Sequence, residues 1–194
     1  DIGDEVLLEE LFSQHSFYKV FNFAAESHVD RSFFNFSNFV RTNVEGALLL
    51  AMMTAKYGSS MLHVSTDEVY GSIPEENGFV KEDAPFFPAN PYASSKAAAD
   101  MLLQSMMKTS KFPVRMVRGT NNYGPFQYPE KLIPPAITNM IEGKEIPLHG
   151  GGEHLRQWIH VSDFCKGIDL VAHEGEENGI YNVAGEHYSN MEVI

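Results

Sequence analysis

The sequence predicts an α/β protein, a doubly wound parallel sheet covered by helices on both faces and continued into a smaller C-terminal α/β region. Three observations carry that reading. Short β-rich runs alternate with stretches whose apolar residues recur every three or four positions, the order that builds βαβ units. The run YKVFNFAA at 18–25 is apolar almost throughout, as suits a strand buried on both faces. The segments FAAES, STDE and GTNNYG all fall at predicted strand C-termini, the edge where open parallel sheets bind ligands.

The elements follow in order. Beyond the 18–25 strand, Val40, Val44, Ala47, Leu48 and Ala51 mark one face of a long helix. SMLHVSTDEVYG, 60–71, reads as a second strand with a turn-like end, and ENGFVKEDAPFFPANP, 76–91, as a loop set by its Gly and Pro content. From Tyr92 to about Lys111 the pattern is helical again, with Ala98, Met101, Leu102 and Met106 on one side. FPVRMVRG, 112–119, is the third strand; a loop at 120–131 leads to a helix through LIPPAITNMIEG, confined by Pro134 and Pro135 to the residues after them. The tail reads as a strand in EIPLHG, a Gly-rich turn, a strand in RQWIHV, a helix capped by Ser162 or Asp163, and a last strand in GIYNVAG. A domain division is placed at 141/142, with the two regions interleaving in sequence.

Composition narrows the function. Fourteen Lys and Arg against 26 Asp and Glu leave a net charge of −12, which repels a phosphate backbone and excludes a basic stripe for nucleic acid or anionic lipid. The single Cys165 forms no intrachain disulfide and anchors no metal spacing, so a reducing cytoplasm is expected and no metal. The longest uninterrupted apolar stretch, Ala47 to Met53, is far short of the roughly 20 residues of a membrane span. The opening DIGDEVLLEELF is acidic where a secretory leader is basic, and it reads as cut from a longer pattern.

Chemistry is suggested first by HVSTDEVYG, where a hydroxyl and two adjacent carboxylates, Thr66, Asp67 and Glu68, stand at a strand end. Such a triplet is either a solvated turn or the working edge of an active site. Tyr92 and Lys96 lie four residues apart and so on one helix face. A phenol ionises near pH ~10, and a neighbouring ammonium is expected to draw it toward use as a general base.

Together with FAAESHVDRS, TNVEGALLL, STDEVYG, NPYASSKAAAD, NNYGPFQYPEKLIP, IPLHGGGEHLRQWIHVSD and YNVAGEHYSNMEV, these residues resemble the extended short-chain dehydrogenase/reductase family, and within it the nucleoside-diphosphate-glucose 4,6-dehydratases. The resemblance implies a Rossmann-type fold, NAD as cofactor, a nucleotide sugar as substrate with a dTDP-linked glucose expected, and a homodimer formed through the two long helices. It implies Thr66, Asp67, Glu68, Tyr92 and Lys96 as catalytic residues: Tyr92 as base on the C4 hydroxyl, Thr66 on the C4 oxygen, Glu68 as base at C5, Asp67 as acid at the departing C6 hydroxyl. Asp67 beside Glu68 is what separates a dehydratase from the epimerases, which move a hydride out and back without expelling water. A UDP- or GDP-sugar dehydratase, decarboxylase or epimerase, and a catalytically silent binding relative, are the alternatives.

The resemblance also implies cofactor contacts at Asp1, Ile2, Phe23, Ala24, Ala25, Glu26, Ser27, Thr42, Tyr92, Lys96 and Asn122. For the substrate it implies Ser27, Thr66, Asp67, Glu68, Asn121, Lys131, Leu132, Pro147, Leu148, His149, Arg156 and Asn190. Arg156 is expected on the diphosphate, and His149 stands where the dehydratases carry tyrosine. His28 and Arg31 are expected to anchor structure. The family's first strand and its Gly-rich phosphate turn are absent, so 1–141 reads as part of an NAD-binding domain and 142–194 as part of a substrate-binding region. The fragment by itself is expected to turn nothing over.

Overall fold

A computed structural model describes residues 1–72, 79–109 and 112–194. The chain forms two compact units, one of 1–118 with 170–182, the other of 119–169 with 183–194. The two are threaded through one another in sequence, and position 141/142 falls inside the second.

The first unit is α/β. Helix α1 (Glu5–Gln14) starts where the Asp4 side chain accepts from Leu7 N at 3.0 Å, and it buries Leu8 and Phe12. Strand β1 (Lys19–Asn22) pairs in parallel with β2 (Ser60–Thr66), with Asn22 opposite His63. Between them run α2 (Val29–Phe34) and, after a non-helical Asn35, α3 (Phe36–Phe39), a π-helical turn (Val40–Gly46) and α4 (Ala47–Lys56), which follow one another with helical backbone at each junction, so the long helix expected from the periodicity is present with a π-helical stretch inside it. After β2 a 3₁₀ turn (Asp67–Tyr70) leads toward α5 (Pro91–Lys108), and then β3 (Val114–Gly119). The sheet order is β1-β2-β3-β6, with β6 at Ile180–Val183. Leu8, Phe12, Leu50, Ala51, Met53, Met61, Leu103, Met107, Val114 and Met116 make one core between this sheet and α1, α4 and α5. At the far end of the sheet, Lys19 donates to the Ala172 carbonyl and Arg115 Nε to Gly175 O at 2.9 Å. These cations satisfy carbonyls at the C-terminal end of α7 (Val161–Glu174), where the helix dipole favours positive charge.

The second unit holds a three-stranded sheet, β4-β5-β7. Strand β4 (Asn121–Tyr123) is parallel to β5 (Leu155–His160), and β5 is antiparallel to β7 (Glu186–Ser189). It also carries α6 (Ile133–Ile141) and α8 (Asn190–Val193), the latter started by a capping box of Ser189 and Glu192. Two expectations are corrected here. EIPLHG is not a strand: 144–148 is irregular and passes into a 3₁₀ turn (His149–Gly152), because Pro147 lacks an N–H to donate and Gly150 and Gly151 take positive φ. Helix α7 begins at Val161, ahead of Ser162 and Asp163, and the Ser162 N–H is accepted by the His160 ring at 3.3 Å.

Candidate active site

Because β1 and β2 are parallel, their C-terminal ends share one edge of the sheet, and both feed candidate residues there. The segment following β1, Phe23 to Ser27, is fixed by a side chain 17 residues further on. Asn43 Oδ1 accepts from Glu26 N at 2.8 Å and Asn43 Nδ2 donates to Glu26 O at 2.9 Å, so one buried amide holds both backbone polar groups of a single residue. The same Nδ2 donates to Ser95 Oγ of α5 at 2.9 Å. Asn43 sits in the π-helical turn, where the extra residue re-aims side chains. Ala24 and Ala25 are thereby held exposed at the strand edge, next to Asn22, whose Oδ1 accepts from Ala24 N at 3.2 Å.

Thr66 is buried and ends β2; its hydroxyl accepts from Glu68 N and donates to Asp67 Oδ1, both at 3.3 Å. That N-cap turns the chain so that Asp67 and Glu68 project from the sheet edge, half-buried. Gly71 lets the turn close: its φ is +75°, and a Cβ there would run into the Phe87 carbonyl. Glu68 is then held from the other side, Asn90 Nδ2 donating to Glu68 Oε2 at 2.9 Å. Asn90 is also the N-cap of α5, its Oδ1 accepting from Ala93 N at 2.8 Å. One asparagine therefore starts the helix that carries Tyr92 and Lys96 and ties it to the carboxylate on the neighbouring turn.

Tyr92 and Lys96 lie one turn apart on α5, as the spacing predicts. Lys96 is 3% exposed and its ammonium donates to Val64 O at 2.8 Å. Burial pulls its pKa down to about 8, against the opposing charge of Asp100. The Tyr92 ring, edge-on to Phe39 at 6.5 Å, is only half-covered, yet the protein packed around it removes enough water to push the phenol well up. Glu68 adds to that, and the Thr66 hydroxyl opposes it. The expectation that the ammonium would draw the phenol down is thus not what this environment does; desolvation and the carboxylates dominate.

His63 was not among the candidates. It is buried on β2, its Nδ1 accepting from Asn22 Nδ2 at 3.1 Å, and burial first, then the Lys96 charge, hold it well below its ordinary value. Asn43 and Asn90 were also missed, although both stand inside quoted segments. An asparagine's role depends on what the fold brings to it, and no local pattern reports that.

The remaining candidates divide as follows. Ile2 packs on Gly46, where a Cβ would collide with it, and on the apolar core; Asp1 accepts from Gly3 N at 2.9 Å and lies 4.0 Å from Arg41. Thr42 is half-buried in the π-helical turn. His28 caps α2, accepting from Arg31 N at 3.4 Å. Asn121, Asn122, Lys131, Leu132, Pro147, Leu148, Arg156 and Asn190 all belong to the second unit. There Asn121 and Asn122 on β4 lie opposite Trp158 and Ile159. Asn122 Nδ2 donates to Thr120 O at 3.1 Å, and Gln127 Nε2 donates to Asn122 O at 2.9 Å. Arg156 is exposed on β5, opposite Tyr188, and donates to its neighbour's carbonyl, Leu155 O, at 2.8 Å. Lys131 is half-buried and 3.8 Å from Glu130. Leu148 packs beside Gly152 and Met191, and Asn190 N donates to His154 O at 3.2 Å. Pro147 is exposed; the His149 side chain lies outside the described residues.

Known proteins share this fold. The dTDP-glucose 4,6-dehydratase of Streptomyces antibioticus is 44% identical over 186 residues, which is 95% of this chain and 54% of that protein. The crystal structure of dTDP-glucose 4,6-dehydratase from Bacillus anthracis in complex with NAD superposes with a TM-score of 0.91 at 43% identity, over 100% of this chain and 60% of that one. That of the Streptomyces venezuelae dTDP-glucose 4,6-dehydratase with NAD bound gives 0.92 at 42%, over 100% and 59%. The chain thus spans little more than half the length of these relatives, and with them it has a Rossmann-type α/β fold. The family model described as GDP-mannose 4,6 dehydratase matches residues 1–194 from end to end, and the chain belongs to that family.

Proposed function

We propose that the protein carrying this chain is an NAD-dependent hydro-lyase that converts dTDP-glucose to the 4-keto-6-deoxy sugar nucleotide and water. The observation that carries this is the strand end itself: a hydroxyl and two carboxylates on one turn, Glu68 pinned by the asparagine that caps the Tyr92–Lys96 helix. A redox-neutral epimerisation needs no acid and base at that place, whereas expelling water needs both.

The residues present fit NAD. The exposed alanines after β1 give a backbone with no bulk above it, clamped in place by Asn43. Lys96 carries three donors and, among the described residues, makes one hydrogen bond, to Val64 O, leaving donors for ribose hydroxyls. Asp1, Ile2, Phe23 to Ser27, Thr42, Tyr92, Lys96 and Asn122 would hold the cofactor. NAD supplies the hydride acceptor and, within the same cycle, the hydride that is returned.

The side chains do the proton work. Thr66 orients the C4 oxygen of the sugar and Tyr92 removes the proton from it. The new ketone acidifies C5, where Glu68, fixed by Asn90, takes the proton. Asp67 protonates the departing C6 hydroxyl, and for that it must carry a proton while Glu68 does not; as the hydride is returned at C6, a proton returns to C5 and completes the 4-keto-6-deoxy sugar. A protonated Asp67 also removes one of the three charges that oppose ionisation of Tyr92. Arg156, Asn121, Lys131, Leu132, Pro147, Leu148, His149 and Asn190 would serve the nucleotide sugar from the second unit, with Arg156 on the diphosphate.

We also place the protein in the reducing cytoplasm, supported by its exposed free Cys165, and as a homodimer. The dimer is supported by side chains left uncovered on helices that touch one another: Phe36 of α3, Val40 of the π-helical turn, Met52 of α4, Met101 and Leu102 of α5.

The test is mass analysis of products after incubating the full-length protein with NAD and, separately, dTDP-glucose, UDP-glucose and GDP-mannose in heavy water. Loss of water with one deuterium gained, from the dTDP sugar, is the expected result. Loss of water from another sugar would replace the nucleotide. Unchanged mass with all three would replace the dehydratase with a binding relative.

A further inference from the structure

Beneath the reactive edge runs a chain of buried charges that the roles above do not use. On α5 the side chains of Tyr92, Lys96 and Asp100 recur every fourth position, so Asp100 lies one turn deeper than the ammonium on the same face. It is 0% exposed. Arg118 of β3, 1% exposed, meets it with Nε on Asp100 Oδ2 at 2.8 Å. The guanidinium is itself locked: Nη1 donates to Tyr70 OH at 2.5 Å and to Glu82 O at 2.9 Å, and its carbon lies 4.8 Å from the centre of the Phe86 ring. Tyr70 OH in turn donates to Asn182 Oδ1 at 2.9 Å.

A buried ion pair is a poor device for stability, since desolvating both charges offsets much of their attraction. Its position suggests another use. We infer that Asp100, held by Arg118, is a positioning residue that keeps the Lys96 ammonium charged inside the protein. The inference rests on the dehydratase reading for its purpose, which is to keep a cation one helical turn from the Tyr92 phenol as its proton leaves.

The surroundings leave Asp100 as the group for this. Burial lowers the Lys96 pKa, and Asp100 is the charge that opposes it. On Tyr92 the same carboxylate acts after Glu68, Thr66 and Asp67, whereas on Lys96 it is the charge that opposes burial. Burial also pushes Asp100 up, and Arg118, followed by Ser65, works against that. His63 on β2 is held neutral and supplies no charge. Of the charged residues on the helical elements packed against α5, Asp30, Arg31, Arg41, Glu45 and Lys56 are solvent-exposed, and Asp67 and Glu68 of the 3₁₀ turn are half-buried and act on Tyr92. Removing the Asp100 charge therefore lets Lys96 lose its proton at lower pH, and activity that needs the ammonium disappears from the alkaline side first.

The experiment uses the full-length protein with its lysines labelled with carbon-13 at Cε, the Lys96 signal being identified by its loss in Lys96→Arg. Asp100→Asn keeps the shape and an acceptor for Arg118. It is expected to move the Lys96 titration midpoint down by about one pH unit or more, and the alkaline limb of kcat with it. Should Asp100→Asn fail to fold, Asp100→Leu with Arg118→Met removes both charges and is read the same way. A midpoint that stays where it is in the folded variant overturns the inference. A midpoint that moves in a protein whose wild type dehydrates none of the three sugars overturns the functional reading and leaves the charge coupling standing.

Discussion

Asn90 shows how one side chain can serve a helix and a site at once, and how the two services separate. Its Oδ1 satisfies a free N–H at the start of α5, while its Nδ2 holds Glu68. Asn90→Ser keeps a good N-cap, so the melting temperature should change little. The bond to the charged Glu68 is lost, and turnover should fall about tenfold to hundredfold, the value of a hydrogen bond to a charged group. Thermal melts beside rates of water loss check this; a variant that melts early yet keeps full turnover would make Asn90 a cap and nothing more. The contrast with Tyr92 and Lys96 explains what was legible. Their spacing is a property of one helix, and Thr66, Asp67 and Glu68 are adjacent, so both groups could be found in the chain. Asn43 reaches back 17 residues to Glu26, and Asn90 reaches back 22 to Glu68. Nothing in the local sequence marks those distances.

At the scale of elements, the pairing of β1 with β2 is secured by a polar bridge in an apolar sheet. Asn22 and His63 are register partners, and the Asn22 amide donates to a ring that burial keeps neutral. The sign of the resulting pH dependence follows from proton counting. Unfolded, His63 titrates near its ordinary value of 6.5; folded, it binds a proton only at lower pH. Below 6.5 the unfolded chain holds the extra proton, so this contribution is complete above that value and is lost as the pH falls through it. The loss approaches about 1.4 kcal/mol per pH unit. Urea midpoints at about pH 7.5 and about pH 5.5 should separate in the wild type and draw together in His63→Gln, whose amide oxygen can accept the same bond. Equal separation in both proteins would remove His63 as the cause. The principal strands were legible because burial on both faces writes itself as apolar runs. Strands β4 and β7, of three and four residues, were not, since they exist only by pairing with β5. EIPLHG misled for the converse reason: it has the composition of a strand and no such pairing.

For the molecule as a whole, the order of strands and helices announced an α/β fold, but the division into units did not follow a single cut, because 170–182 returns to complete the sheet begun by β1. A chain that re-enters an earlier unit leaves no local mark at the crossing. The apolar stripe of the helices was readable, yet a stripe alone does not say which of its side chains are covered; the structure separates buried from uncovered ones. Ala47, Leu50, Ala51, Ala97 and Leu103 face inward and are buried, while Met52 and Met101 are 53% and 61% exposed. Methionine suits such a surface, being flexible enough to fill an uneven contact. In a dimer built on these helices, Met101→Glu would bring a charge from each protomer into a desolvated contact, where an unpaired charge is costly. On a monomer it would merely replace an exposed thioether by a carboxylate, with little effect on stability. Sedimentation of the full-length wild type should therefore show a dimer, and Met101→Glu a lighter species with an unchanged far-ultraviolet spectrum. A wild type that sediments as a monomer, or a Met101→Glu protein that remains a dimer, would move the interface away from α5.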